Sequence, residues 1–136
     1  MIVNPAYIYM GGSQPAINPV IFANGVVNYP YTLTSGTANW EPDLNRFYLY
    51  EGGSVTFTLP LKKIKSITFT AERKFNPAKV SISIPGAAGT TQTYSVLNRI
   101  DIVYNVPDQW QLNDIKIQVK CTGGPNVSLY GGTINL

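Results

Sequence analysis

From residue 46 onward, apolar and polar residues alternate with period two, and that alternation confines the chain to β structure. Val55, Phe57 and Leu59 interleave with Thr56 and Thr58; Ile67, Phe69 and Ala71 with Thr68 and Thr70; Val80, Ile82 and Ile84 with Ser81 and Ser83. Ile100, Ile102 and Tyr104 continue the pattern, followed by Ile115, Ile117, Val119 and Cys121, then Val127 and Leu129, then Ile134 and Leu136. Each run predicts a half-buried strand. Gly52-Gly53, Pro60, Asn76-Pro77, Pro85-Gly86, Pro107-Asp108, Gly123-Gly124-Pro125 and Gly131-Gly132 separate the runs as turn residues do. No window carries an i, i+3, i+4, i+7 apolar face, and the segment Gln109–Leu112 has room for one turn at most. Seven or eight short strands with one-sided patterning predict an all-β fold, an antiparallel β-sandwich of jelly-roll type over residues 47–136. A closed barrel carries the same signature.

Residues 1–46 read differently. They hold half of the ten prolines (Pro5, Pro15, Pro19, Pro30, Pro42) and are rich in asparagine, which blocks helix and limits strands to edges. Their apolar residues nevertheless need burial. These features predict an extended Pro/Asn-rich N-terminal arm lying on a surface, its own sandwich or a neighbouring subunit, through Tyr7, Ile8, Tyr9, Ile21, Phe22, Tyr29 and Tyr31. Thirty such residues reach about 100 Å when extended, enough to pass from one protomer to the next.

Charge is sparse and uneven. Of 136 residues 12% are charged, and the net charge of +3 originates in one window. Residues 60–79 hold Lys62, Lys63, Lys65, Arg73, Lys74 and Lys79 against Glu72 alone. The phase set by Ile67 and Phe69 would turn Lys63 and Lys65 inward, where unpaired ammonium groups are costly. The lysines are therefore expected in the turn before the strand, at the sandwich rim. There Lys62, Lys63, Lys65, Arg73 and Lys74 form a basic patch able to face an acidic surface. The bias is too weak, and lacks a reading element, for nucleic acid as a partner.

Chemistry-bearing sets are missing. The chain has no histidine and one cysteine, which removes the common general base, the triads and a zinc site. Cys121 falls on an apolar strand phase and reads as a buried thiol, and the seven carboxylates are scattered. Gly11-Gly12-Ser13 and Gly52-Gly53-Ser54 lack the Lys-Ser/Thr of a phosphate loop. The expectation is no enzyme, no cofactor and no metal. Aromatics are what remain: nine Tyr, five Phe and two Trp. In Tyr48-Leu49-Tyr50, spacing of two puts both tyrosines on one strand face, opposite Phe47 and Leu49. Tyr48, Tyr50, Trp40 and Trp110 are the candidate platforms for stacking a sugar.

The strings Gly53–Phe57, Ile64–Thr70, Lys79–Ile84 and Leu112–Val119 resemble the strand series of galactose-binding-like jelly rolls. The resemblance is one of pattern over residues 47–136. Such domains serve as carbohydrate-binding modules and recur in virion structural proteins of tailed phages. The start MIVNPAYIYMGG lacks a basic n-region, so no signal peptide is read, and no run approaches a membrane span. Together with the arm, these features lead to a virion structural protein, a phage capsid-decoration or tail component. Such a protein would be made in the host cytoplasm and would assemble with other virion proteins and with copies of itself, without a membrane partner. The second reading is a glycan partner, bound by a carbohydrate-binding module or receptor-binding domain through its exposed Tyr and Trp.

Overall fold

The computed structural model describes residues 19–136. They form an all-β antiparallel fold, jelly-roll-like, with strands β1 (Val20–Ala23), β2 (Val26–Val27), β3 (Tyr31–Leu33), β4 (Ala38–Glu41), β5 (Arg46–Tyr50), β6 (Ser54–Leu59), β7 (Ser66–Ser83), β8 (Gln92–Asn105), β9 (Ile115–Gly123) and β10 (Asn126–Asn135). Two 3-10 turns, Pro42–Leu44 and Asp108–Trp110, complete the regular elements.

The longest strand organises the rest. The first half of β7 pairs with β10 (Ile67↔Ile134, Ala71↔Leu129), and its second half pairs with β9 (Ile82↔Val119). β8 follows β7 through both halves. The sheet therefore folds about β7 into two layers. One contains β8, β7, β10 and the strands on the far side of β10, namely β1 with β2 and β5 with β4; the other contains β8, β7, β9, β6 and β3. The layers meet through aromatic rings: Phe57 of β6 lies 5.3 Å from Phe47 of β5, 6.0 Å from Phe69 of β7 and 6.2 Å from Phe22 of β1. All four rings are fully buried. The alternating residues Val55, Ile67, Val80, Ile82, Ile117, Val119 and Leu129 fill the space between the layers.

Residues 19–46 are part of this sandwich, which corrects the expected boundary between an arm and residue 47. β1 pairs with β10, β3 with β6 (Tyr31↔Phe57) and β4 with β5 (Trp40↔Phe47). Ile21 and Phe22, read as interface residues, are wholly buried in the core of their own chain. Tyr29 packs against the same core, and Tyr31 is edge-on to Phe47 at 5.3 Å. The prolines mislead because they sit between short strands: Pro19 precedes β1, Pro30 precedes β3 and Pro42 opens a 3-10 turn. There their fixed φ and missing N–H cost no ladder bond. Tyr7, Ile8 and Tyr9 lie outside the described residues.

Two expected separators are bulges inside strands. At Gly131 the β10–β7 register slips, leaving Tyr130 without an opposite residue and resetting the inward phase from Leu129 to Gly132. A Cβ at position 132 would lie 3.0 Å from the Phe69 ring and 3.3 Å from Ile21, so glycine lets β1 and β7 close over β10 there. Between Arg73 and Ala78 the β7–β8 register slips again, with Asn76 (φ 58°) and Asn98 (φ 61°) in the left-handed region that asparagine tolerates.

Candidate glycan-binding cleft

The registers place one row of side chains across the outer face of the first layer. Tyr48 of β5 is opposite Ser128 of β10, Ser128 is opposite Glu72 of β7, and Glu72 is opposite Arg99 of β8. Inward neighbours Phe47, Leu49, Ala71, Val127 and Leu129 fix this phase by their burial, so the row faces outward. Asn126 opposite Tyr50 begins a second row. The bulged Tyr130 turns out beside Arg46, and the bulge after Arg73 carries Lys74 and Phe75 to the edge of the same face. Arg46, Tyr48, Glu72, Arg73, Lys74, Phe75, Asn126, Ser128 and Tyr130 line an open cleft of about 280 Å³.

Its polar groups are held in place. The Arg46 guanidinium donates from Nε to Glu41 Oε1 at 2.5 Å and from Nη1 to Tyr130 Oη at 3.4 Å and Ser128 Oγ at 3.5 Å. It also lies 4.6 Å from the centre of the Tyr48 ring. Burial works against its charge, but the hydrogen bonds and charges of Glu41 and Tyr130 outweigh that, and its pKa is raised. Arg99 stacks over Tyr130 at 4.0 Å and approaches Glu72 Oε1 at 3.5 Å. Arg73 donates to Asn126 Oδ1 at 3.1 Å. Tyr48 and Tyr50 meet edge to face at 5.0 Å, with Tyr50 43% exposed, and Phe75 is 75% exposed at the cleft mouth. Such a surface combines ring faces, which take the C–H face of a pyranose, with fixed donors and acceptors for hydroxyls.

The four candidate stacking residues separate here. Tyr48 and Tyr50 face outward on β5 as expected, Tyr48 in the cleft wall and Tyr50 beside it. Trp40 turns inward on β4 and packs against Phe47 at 4.5 Å and Phe22 at 5.6 Å. Trp110, on the 3-10 turn Asp108–Trp110, packs against the core as well. Both indoles are partly buried against the core, and neither lines the cleft.

The basic patch also separates. Lys62, Lys63 and Lys65 lie in the turn before β7, as their cost of burial predicts, with Ile64 buried between them. Lys62 pairs with Asp114 at 3.0 Å. Arg73 and Lys74 lie eight or more residues along β7, on the order of 25 Å away at a strand's rise, and belong to the cleft. Sequence reasoning missed Arg46, Glu72, Phe75, Asn126, Ser128 and Tyr130 as site residues. Period two assigns Glu72 and Ser128 to the outer face, but only the strand order brings them beside Tyr48.

Among the described residues no group of three His, Cys, Asp or Glu side chains could hold a metal ion, and no helix is long and apolar enough to cross a membrane.

No protein-family model matches the chain, and no curated protein sequence matches it. Solved structures do. CsCBM6-3 from Clostridium stercorarium in complex with cellobiose superposes with a TM-score of 0.61 at 14% identity, over 86% of this chain and 92% of that one. A low-affinity xylan-binding module from Roseburia intestinalis gives a TM-score of 0.56 at 20% identity, over 89% and 96%. A family 29 carbohydrate-binding module variant complexed with cellulohexaose gives 0.62 at 18%, over 87% and 89%. A family two carbohydrate esterase from Cellvibrio japonicus also matches, at a TM-score of 0.64 and 10% identity, over only 33% of its length. The chain thus has the jelly-roll fold of carbohydrate-binding modules. None of these four is a virion protein, and the virion reading had drawn on an arm that, from residue 19 on, is built into the sandwich.

Proposed function

We propose that the protein is a non-catalytic glycan-binding module whose ligand lies across the outer face of β5, β10 and β7. The observation that carries this reading is the in-register row Tyr48–Ser128–Glu72–Arg99, with Tyr130 and Arg46 locked beside it. Tyr48 and Tyr130 line the cleft, each with an arginine over one ring face, and their hydroxyls, with Glu72, Asn126 and the arginines, offer donors and acceptors. The cleft is open and falls just below the roughly 300–1,000 Å³ typical of small-molecule pockets. It suits a chain laid over the sheet, one or two sugar rings in contact at a time. Because the arginine and tyrosine side chains are braced before any ligand arrives, little side-chain entropy is lost on binding. The carbohydrate-binding modules that share the fold support the same reading.

Affinity electrophoresis tests it, with the full chain run through native gels containing barley β-glucan, wheat arabinoxylan, polygalacturonate or κ-carrageenan. Retardation in at least one gel, lost in Tyr48→Ala, is the expected result. Uniform migration in all four gels would remove the proposal.

A further inference from the structure

The ion pairs around the cleft leave its charge unbalanced. Glu41 is engaged by Arg46 and Glu72 by Arg99. Asp101, further along β8, accepts from Thr70 and lies off the cleft lining. The two remaining cations of the lining, Arg73 and Lys74, have no carboxylate within ion-pair distance among the described residues. Arg73 is held by neutral acceptors instead, its Nη1 donating to Asn126 Oδ1 at 3.1 Å and its Nε to the Asn76 carbonyl at 3.3 Å. That arrangement fixes the guanidinium without cancelling its charge. A regular strand would also turn Arg73 to the face opposite Glu72 and Lys74. The bulge beginning at Arg73 lets all three line one cleft, with the ring of Phe75 next to them.

We propose that this cleft selects anionic glycans, a uronate carboxylate or a sulfate half-ester being taken by Arg73 and Lys74 while a pyranose ring lies against the neighbouring aromatic side chains. The inference rests on the glycan-binding reading above. A neutral hydroxyl can accept a hydrogen bond from either cation but leaves its charge uncompensated. An anionic substituent gains charge-assisted hydrogen bonds, which are shorter and about twice as strong as neutral ones, and is drawn in by the local field.

Calorimetric titration of the full chain with three hexasaccharides tests the proposal: hexagalacturonate for the carboxylate, a κ-carrageenan hexasaccharide for the sulfate, and cellohexaose as the neutral probe. At about 20 mM salt, at least one anionic probe should bind about tenfold tighter than cellohexaose, and which one does so distinguishes the two sources of charge. Raising salt to about 500 mM, where screening is nearly complete over a few ångströms, should cut that preference several-fold. The double variant Arg73→Gln/Lys74→Gln should bring the preference close to one, whereas Lys120→Gln, on the outer face of the other layer, should leave it unchanged. Cellohexaose binding as tightly as both anionic probes would overturn the inference and leave the glycan-binding reading intact. A preference that survives the double variant would overturn it as well. Binding of none of the three would overturn the inference, and the four-gel series would then decide the glycan-binding reading separately.

Discussion

Replacing Phe22 by alanine separates a core role from a docking role for the N-terminal third. The Phe22 ring is fully buried and meets Phe47 at 4.9 Å, Trp40 at 5.6 Å and Phe57 at 6.2 Å. Truncating a buried phenylalanine costs about 3–5 kcal/mol, and the edge-to-face contacts with Phe47 and Trp40 favour the upper half of that range. The cavity has little freedom to collapse, because β1 is held to β10 on one side and β2 on the other. Domains of this size are stable by roughly 5–15 kcal/mol in total, so the variant should be severely weakened. A fall in melting temperature of at least about 10 °C follows from the usual few degrees per kcal/mol. Urea unfolding followed by tryptophan fluorescence measures the loss, with Trp40 as a reporter beside the lesion. A loss under about 1 kcal/mol, accompanied by a change in sedimentation, would place Phe22 on an intermolecular surface and refute the reasoning.

Other outcomes follow from the same contacts. Deleting residues 1–46 removes β1–β4 and should give a chain without a cooperative unfolding transition, read by circular dichroism; a folded remainder would show that these strands are dispensable. Tyr130→Ala removes a ring face, the hydroxyl that accepts from Arg46 and the platform under Arg99. It should weaken glycan binding about tenfold or more, as loss of an aromatic anchor does, with little change in melting temperature. Burial pushes the Cys121 thiol up, against the weaker opposing effect of the Gly123 backbone. The native protein should therefore react with a disulfide reagent at pH 8 far more slowly than the urea-unfolded chain. Burial also pushes Tyr94 up to about 12 and raises Tyr29 and Tyr104. These groups keep protons in the folded state that the unfolded chain releases, so their contribution is complete below about pH 8 and declines as pH rises through the thiol and phenol ranges. Stability in urea measured from pH 8 to 11 should fall steadily; a flat profile would contradict the burial of these side chains.

The sandwich is legible in the chain because period two survives in every long strand. Val55–Phe57–Leu59 and Ile115–Ile117–Val119 alternate without interruption and pair with each other in register. Strand continuity is not legible. Asn76-Pro77 and Gly131-Gly132 are turn signals locally, yet pairing on both sides carries β7 and β10 through them as bulges. The strands of residues 19–46 are two to four residues long, too short to show a period, and neighbours supplied by β5, β6 and β10 decide them. The cleft is half legible. Tyr48 and Tyr50 follow from alternation against Phe47 and Leu49, whereas Arg46, Glu72 and Tyr130 converge from strands widely separated in sequence. Trp40 shows the limit from the other side: polar sequence neighbours indicate exposure, but the fold lays it across Phe47.

The most direct test of the central claim is a ¹H–¹⁵N correlation titration of the full-length protein with cellohexaose and hexagalacturonate. Saturable shifts confined to residues 46–50, 70–75 and 126–130 are the predicted result. Saturable shifts centred on the 60–65 and 107–114 loops or on the outer face of β6 and β9, or no shifts with either sugar, would contradict it.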